Sequence, residues 1–273
     1  MPRTPCTLKG MTTETPHLID QSFIRHPLLN ILLLSRVPTR DEIEQVLAAT
    51  FGPRLGEKKN TEHAVAVELD DHYLVHAMVL DAPPQDPQTT YELHPVLTED
   101  PSGLEKVSAQ IMLSILPDNE WTAKAKQFRE PRLHEIMLHA QATAALAALE
   151  GVEAIHNTVG DVTISPRVFV EAVTNNDPAM FSTSVWLTQG ERGITAYTVG
   201  MVCAGHPEIM AVDSTQDPTK LFYSMLNVVN YALLVDALKD GDTFAFEPDA
   251  EPLSITAGPY ISDPTIPAVH VPL

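Results

Sequence analysis

The chain is poor in basic residues, cysteine, glycine and aromatics, and each shortage removes a class of function. Over 273 residues, 17 Lys and Arg stand against 36 Asp and Glu, a net charge of −19. Nucleic-acid binding requires a basic footprint, and anionic membrane surfaces attract basic segments, so the charge argues against both as partners. Cys6 and Cys203 are too few for a disulfide scaffold, and a reducing cytoplasm is the simplest compartment for them. The 12 glycines form no Gly-x-Gly-x-x-Gly or phosphate loop, and no nucleophile elbow or kinase signature occurs, so no cofactor is implied. The longest aliphatic run, Leu28 to Leu34, is broken by Asn30 and falls far short of the ~20 residues of a membrane span. Residues 1–22 are polar with Pro and Thr throughout, unlike a signal peptide. They read as a flexible tail in which Met1 and Met11 both remain open as the start.

What the chain does have is 44% hydrophobic residues, enough for a large core, and 23 prolines that punctuate it. Leu28–Leu34 predicts a buried strand. Thr39 with Glu42 is a capping box for a helix whose apolar face is Ile43, Val46 and Leu47, ending at Gly52-Pro53. Val65, Val67 and Leu69 alternate as a strand, and Asp70-Asp71 turns the chain into a second one over Tyr73–Leu80. The Pro-rich stretch 82–103 is a long loop that divides the chain into an N-terminal unit, 23–105, and a C-terminal unit, 106–258. The second unit opens with a strand bearing Ile111, Leu113 and Ile115 on one face. A helix follows over Leu133–Leu149, with Gly151 as its stop. The clearest helix begins at Asp217-Pro218, carries Leu221, Phe222, Met225, Leu226, Val229 and Leu233 on one stripe, and ends before Gly241. Residues 259–273 carry four prolines, are excluded from a central strand on that account, and are expected along the surface. Helices on one face of largely antiparallel sheets define an α+β class, and two ferredoxin-like halves are the arrangement the element order suggests.

One stretch is more specific. Thr198-Val199-Gly200-Met201 is followed by Gly205-His206-Pro207-Glu208, a helix containing Asn227 and Tyr231, and Asp240-Gly241-Asp242. Together with the strand Ala109–Leu113, the helix containing His139 and Ala142, and Val152–Phe169, this resembles the DUF4261 family of bacterial proteins from about Val107 to Phe246. The hairpin Ala64–Leu80 followed by Ala82-Pro83-Pro84 fits more weakly. The chain departs from the pattern after Trp121, where Lys124-Ala125-Lys126 lies in a polar insert. The family has no assigned activity, so the resemblance implies a fold and lends no catalytic residues.

Three constellations carry conceivable chemistry. His134, Glu135 and His139 fall short of a zinc-protease helix, because the histidines are five apart and lie on different faces; solvent-facing polar residues explain them. His72 and His76 are four apart on an expected strand and share a face with Asp70, a weak metal candidate against exposed edge histidines. Cys203, His206 and Glu208 offer a thiol beside a base, the pattern of a hydrolase nucleophile. Sequence neighbours seldom form catalytic pairs, however, and a buried apolar Cys203 in a turn is the plainer reading. In that turn Gly205 and Pro207 set the backbone, which makes Gly205, His206, Pro207 and Glu208 an exposed binding edge on this reading.

From Asn60 to Glu105 there are ten Asp or Glu and no Lys or Arg. A solvated acidic face accounts for this, and so does a docking surface for a basic protein, with Asp70 and Asp71 at its tip. The expectation is therefore a cytoplasmic, non-catalytic interaction module, immunity-like or scaffolding, with homo-oligomerisation left open. The alternative is a hydrolase using Cys203, His206 and Glu208. The stability corollary is that Leu226→Ala costs about 2–5 kcal/mol, whereas His206→Ala in an exposed turn costs under about 1 kcal/mol.

Overall fold

The structure, a computed structural model, describes residues 14–24, 27–85, 91, 93–98, 101–247 and 249–273. Its first layer is a seven-stranded sheet made of β1 (Leu28–Leu34), β2 (Leu55–Lys58), β3 (Ala64–Leu69), β4 (Tyr73–Leu80), β5 (Ala109–Pro117), β6 (Val152–Asn157) and β7 (Val162–Ile164). The spatial order is β2-β3-β4-β5-β1-β6-β7, with every neighbouring pair antiparallel. Helices α1 (Arg40–Phe51), α2 (Asn119–Gln127) and α3 (Arg129–Leu146) belong to this half of the chain. The Thr39–Glu42 capping box starts α1 as the sequence predicts.

The second layer follows α4 (Pro166–Thr174) and α5 (Pro178–Phe181). It contains β8 (Ser184–Gln189), β9 (Ile194–Val199), β10 (Glu208–Ser214), α6 (Pro218–Leu234), the separate ribbon β11 (Thr243–Phe244) and β12 (Leu253–Ser254), then β13 (Thr256–Pro259) and β14 (Pro267–His270). Its five-stranded sheet runs β13-β14-β10-β9-β8, in which the β10–β14 pair is parallel and the other three are antiparallel. Asp217 caps α6 through its Oδ1, and the apolar stripe of that helix is buried as its spacing requires. One hydrophobic cluster joins both sheets through α3 and α6. The class is α+β.

Three expectations need correction. The boundary at residue 105 does not separate one sheet from the other, because β5 lies between β4 and β1, and β6 pairs with the other edge of β1. Strands from both sides of the Pro-rich loop interleave, so two ferredoxin-like halves do not describe the fold. The tail 259–273 is not a surface ribbon. β14 is an interior strand in which Val269 lines up with Ile209, and its run Ala268-Val269-His270 is free of proline, which falls instead at its edge, where Pro259 faces Pro267. Of the expected N-terminal tail, residues 14–22 are docked: the Leu18 N–H reaches the Gly205 carbonyl, and the Arg129 N–H reaches that of Thr15.

Parity sorts the side chains of the large sheet onto two faces. The inner face, under the helices, carries Leu32, Ile111, Leu113, Val75 and Val67, all buried. On the outer face, Tyr91, Leu104 and Val107 cover Leu33 and Ala154. Tyr91, from the stretch that separates the expected units, thus helps to cover one end of that face.

Candidate functional site

The turn between β9 and β10 is where the sequence concentrates its candidates, and the structure buries it. Gly200 and Gly205 flank a single 3-10 turn, Met201–Ala204, at φ 107° and 80°. The Glu208 carboxylate sits against the N-terminal end of that turn. Its Oε1 accepts the Gly200 N–H at 2.9 Å and the Val202 N–H at 3.3 Å, and its Oε2 accepts the Thr198 hydroxyl at 2.5 Å. The same Thr198 oxygen accepts the Ile209 N–H. Burial pushes the Glu208 carboxyl up to about 7, against the opposing pull of the Thr198 hydroxyl and the backbone amides. The Tyr260 hydroxyl closes the far side on the Thr198 carbonyl at 2.5 Å.

His206 is also a strut. It is 0% exposed, its Nδ1–H donates to the Pro207 carbonyl, and its Nε2 accepts the Leu238 N–H at 2.9 Å. These two partners fix the neutral tautomer, and burial lowers its pKa to about 4. Cys203 is 4% exposed, and its carbonyl accepts the Arg132 Nε–H. Cys203 lines a small cavity with Asn30, His139, Asn157 and Ser182. The cavity volume is about 10 Å³, room for roughly one water, and neither His206 nor Glu208 borders it. The three hydrolase candidates therefore do not converge on a common pocket, and both ring nitrogens of His206 are engaged elsewhere. The exposed binding edge expected at Gly205, His206, Pro207 and Glu208 is corrected as well, since all four residues are buried. Gly205 is fixed by its positive φ and by the His17 ring laid over it, where an added Cβ would collide with Nδ1.

Helix α3 carries a second buried polar row. Arg132 and Glu135 form an ion pair of 2.8 Å at essentially zero exposure. His139 Nε2–H donates to the Leu113 carbonyl at 3.1 Å, and Thr143 joins the row by accepting from Asn30 Nδ2 at 2.9 Å. The solvent-facing reading of Glu135 and His139 is thus overturned: the row crosses the core between the sheets, and only His134 is half-exposed.

His72 and His76 do not converge. His72 stands in the three-residue turn before β4, bonded through Nδ1 to Asp118 at 2.9 Å and tilted against Trp121. His76 lies mid-strand opposite Ser114 on the outer face. Among the described residues, no group of three His, Cys, Asp or Glu side chains is placed to hold a metal ion. Asp70 and Asp71 occupy that turn at φ 54° and 61°, a conformation aspartate tolerates better than most residues. Asp70 is clamped by Arg54 through Nε at 2.9 Å and Nη2 at 2.5 Å, and that guanidinium holds its carboxyl below the ordinary range. Glu68 is paired with Lys59. Glu62, Asp71, Asp81 and Glu105 point to solvent, while Asp86, Glu92, Glu99 and Asp100 lie outside the described residues.

A surface that the sequence candidates touch only at His76 lies on the large sheet. On the outer face of the large sheet, Leu74 is paired with Leu116, His76 with Ser114, and Met78 with Met112, which in turn neighbours Ile31. Outward positions of an antiparallel sheet are usually polar; these are mostly apolar. Leu74, Met78, Met112 and Leu116 are only half-buried and, among the described residues, pack against none of the interior clusters. The signal for this was present. β4 reads Tyr-Leu-Val-His-Ala-Met-Val-Leu, with a single polar residue where a one-sided strand would alternate.

Residues 197–268 match the model of a domain of unknown function, DUF4261. The matched span takes in β9, the Glu208 turn, α6 and the chain to β14. It therefore runs beyond the Phe246 limit of the expected resemblance, and it does not reach back to the strand at Ala109. No curated protein and no solved structure shows significant similarity to the chain.

Proposed function

We propose that this protein is a non-catalytic interaction module of the bacterial cytoplasm, with an acidic face that receives a basic protein, in an immunity-like or scaffolding role. The observation that supports this most is the display of Glu62, Asp71, Asp81 and Glu105 on the surface of a segment that contains no Lys or Arg. Such a field steers encounter with a cationic partner and sets specificity more than raw affinity. Of the most reactive candidates, His206 and Glu208 are engaged in hydrogen bonds that brace the turn between β9 and β10, and Cys203 is buried in that turn. Among the described residues, no helix is long and apolar enough to cross a membrane.

The test is partner recovery by the intact chain and by a neutralised variant, Glu62→Gln, Asp71→Asn, Asp81→Asn and Glu105→Gln, followed by reconstitution from purified components. The expected result is a basic partner that the native chain binds, that the variant binds more weakly, and that salt releases. A partner held equally by both chains, or turnover of a substrate by the native chain, overturns the reading.

A further inference from the structure

We infer that the half-buried outer half-face of the seven-stranded sheet is the docking surface, and that its occupant is a basic amphipathic element of the partner protein, apolar on the side it presents and Lys/Arg-rich around it. This rests on the interaction-module reading and adds the place and the chemistry. Leu74 with Leu116 and Met78 with Met112 form two cross-strand pairs on one face, with the His76–Ser114 pair between them, so the apolar side chains flank a single polar pair. Methionine at two of the four positions gives a surface that adapts to the shape of its partner. Strand β4 carries half of these residues, with β3 between it and the edge strand β2, and the segment that contains β3 and β4 is acidic. Asp71 lies at the turn before β4, Asp81 just past its end, Glu62 ahead of β3, and Glu105 on the segment that covers the neighbouring part of the same face. Glu68, on the patch side of β3, is neutralised by Lys59. A mostly apolar face flanked by exposed carboxylates is the complement of an amphipathic basic element. It is a poor match for a second copy of this chain, which would bring the same rim and a net charge of −19.

The experiment uses the full chain labelled with ¹³C at the methionine methyls and three probes: a leucine–lysine amphipathic helical peptide, its leucine–glutamate counterpart, and polylysine. The expected result is that the leucine–lysine peptide shifts the Met78 and Met112 methyls while the other two probes leave them in place. Met112→Asp then weakens the peptide at least about tenfold, although it adds a negative charge, and Met112→Gln, which preserves length, weakens it in the same direction. If Met112→Asp binds as well as or better than the native chain, attraction is by charge alone; the acidic-module reading survives and the docking face is wrong. If the peptide binds neither chain, both fall. Broadening of the Met78 and Met112 methyls with protein concentration alone, pointing to self-association, or their shift on anionic vesicles, also overturns the proposal.

Discussion

His206 holds Leu238. The ring accepts the Leu238 N–H at 2.9 Å and so ties the turn before β10 to the chain that leaves α6, 32 residues further on. Removing the imidazole strands a buried backbone donor and leaves a void. His206→Ala is therefore expected to cost about 2–4 kcal/mol, the sum of an unsatisfied buried group and a partial cavity. That is comparable with the about 2–5 kcal/mol expected of Leu226→Ala on the buried face of α6. Urea melts of the two variants decide it, and a His206→Ala loss below about 1 kcal/mol would contradict the strut.

Acid should loosen the fold at moderate pH. Burial holds His139 and His206 at about 4, below the ordinary 6.5. A histidine whose folded pKa is lowered contributes its full stability above about 6.5, and that contribution is lost as pH falls toward about 4. Glu208 has the opposite sign. Raised from 4.5 to about 7, it favours the fold below 4.5 and loses that contribution as pH rises through about 7. Two histidines outweigh one glutamate, so the urea midpoint should fall between pH ~6.5 and ~4.5. A midpoint that rises across that interval would show that Glu208 dominates.

Gly205→Ala should damage the docked N-terminal segment as well as the turn. Its φ of 80° is strained for alanine, at about 1–3 kcal/mol, and the new methyl collides with the His17 ring. His17→Ala removes the collision but not the backbone strain. The double variant should be less destabilised than the sum of the two single variants, a coupling that a double-mutant cycle reads directly. Strict additivity would mean the ring and the glycine do not touch.

The ion pair inside α3 should be worth little as a pair and a great deal once broken. Arg132→Ala or Glu135→Ala leaves one charge in the core, at an expected cost of about 3–5 kcal/mol. Replacing both, Arg132→Met with Glu135→Leu, should recover most of that loss, as thermal melts of the three proteins would show. A double variant less stable than either single one would assign the pair a role that its burial alone does not explain.

Local elements were legible because their signals are local. The Thr39–Glu42 box, the Asp217 cap and the Asp70-Asp71 turn each depend on residues within four positions of one another, and each forms where the residue types predict. Burial of the Gly205–Glu208 turn was not legible, because it depends on His17, Leu238 and Tyr260, which reach it from distant segments. The polar row on α3 looked solvent-facing for the same reason: a helix packed on the large sheet on one side and on the Met201–Ala204 turn and neighbouring helices on others no longer obeys the one-stripe rule. Helix α2, read as a polar insert, is fixed by the Asp118 side chain accepting the Trp121 N–H, a cap within the very stretch where the resemblance breaks. Proline count misled at β14, since the position of each proline matters to a strand and the number does not.

The place of β1 in its sheet has a consequence for biosynthesis. Leu-Leu-Asn-Ile-Leu-Leu-Leu is made before its partners, since the strands that will flank it begin only at Ala109 and Val152. At a translation rate of ~5–20 residues per second, the nascent chain carries this segment without its partners for a time on the order of seconds. A short aliphatic strand with two open edges is an aggregation hazard during that interval. The interval between the synthesis of β1 and that of β5 is when this protein should depend most on a holding chaperone, and slowing the ribosome across residues 35–108 should lower its yield more than slowing it later.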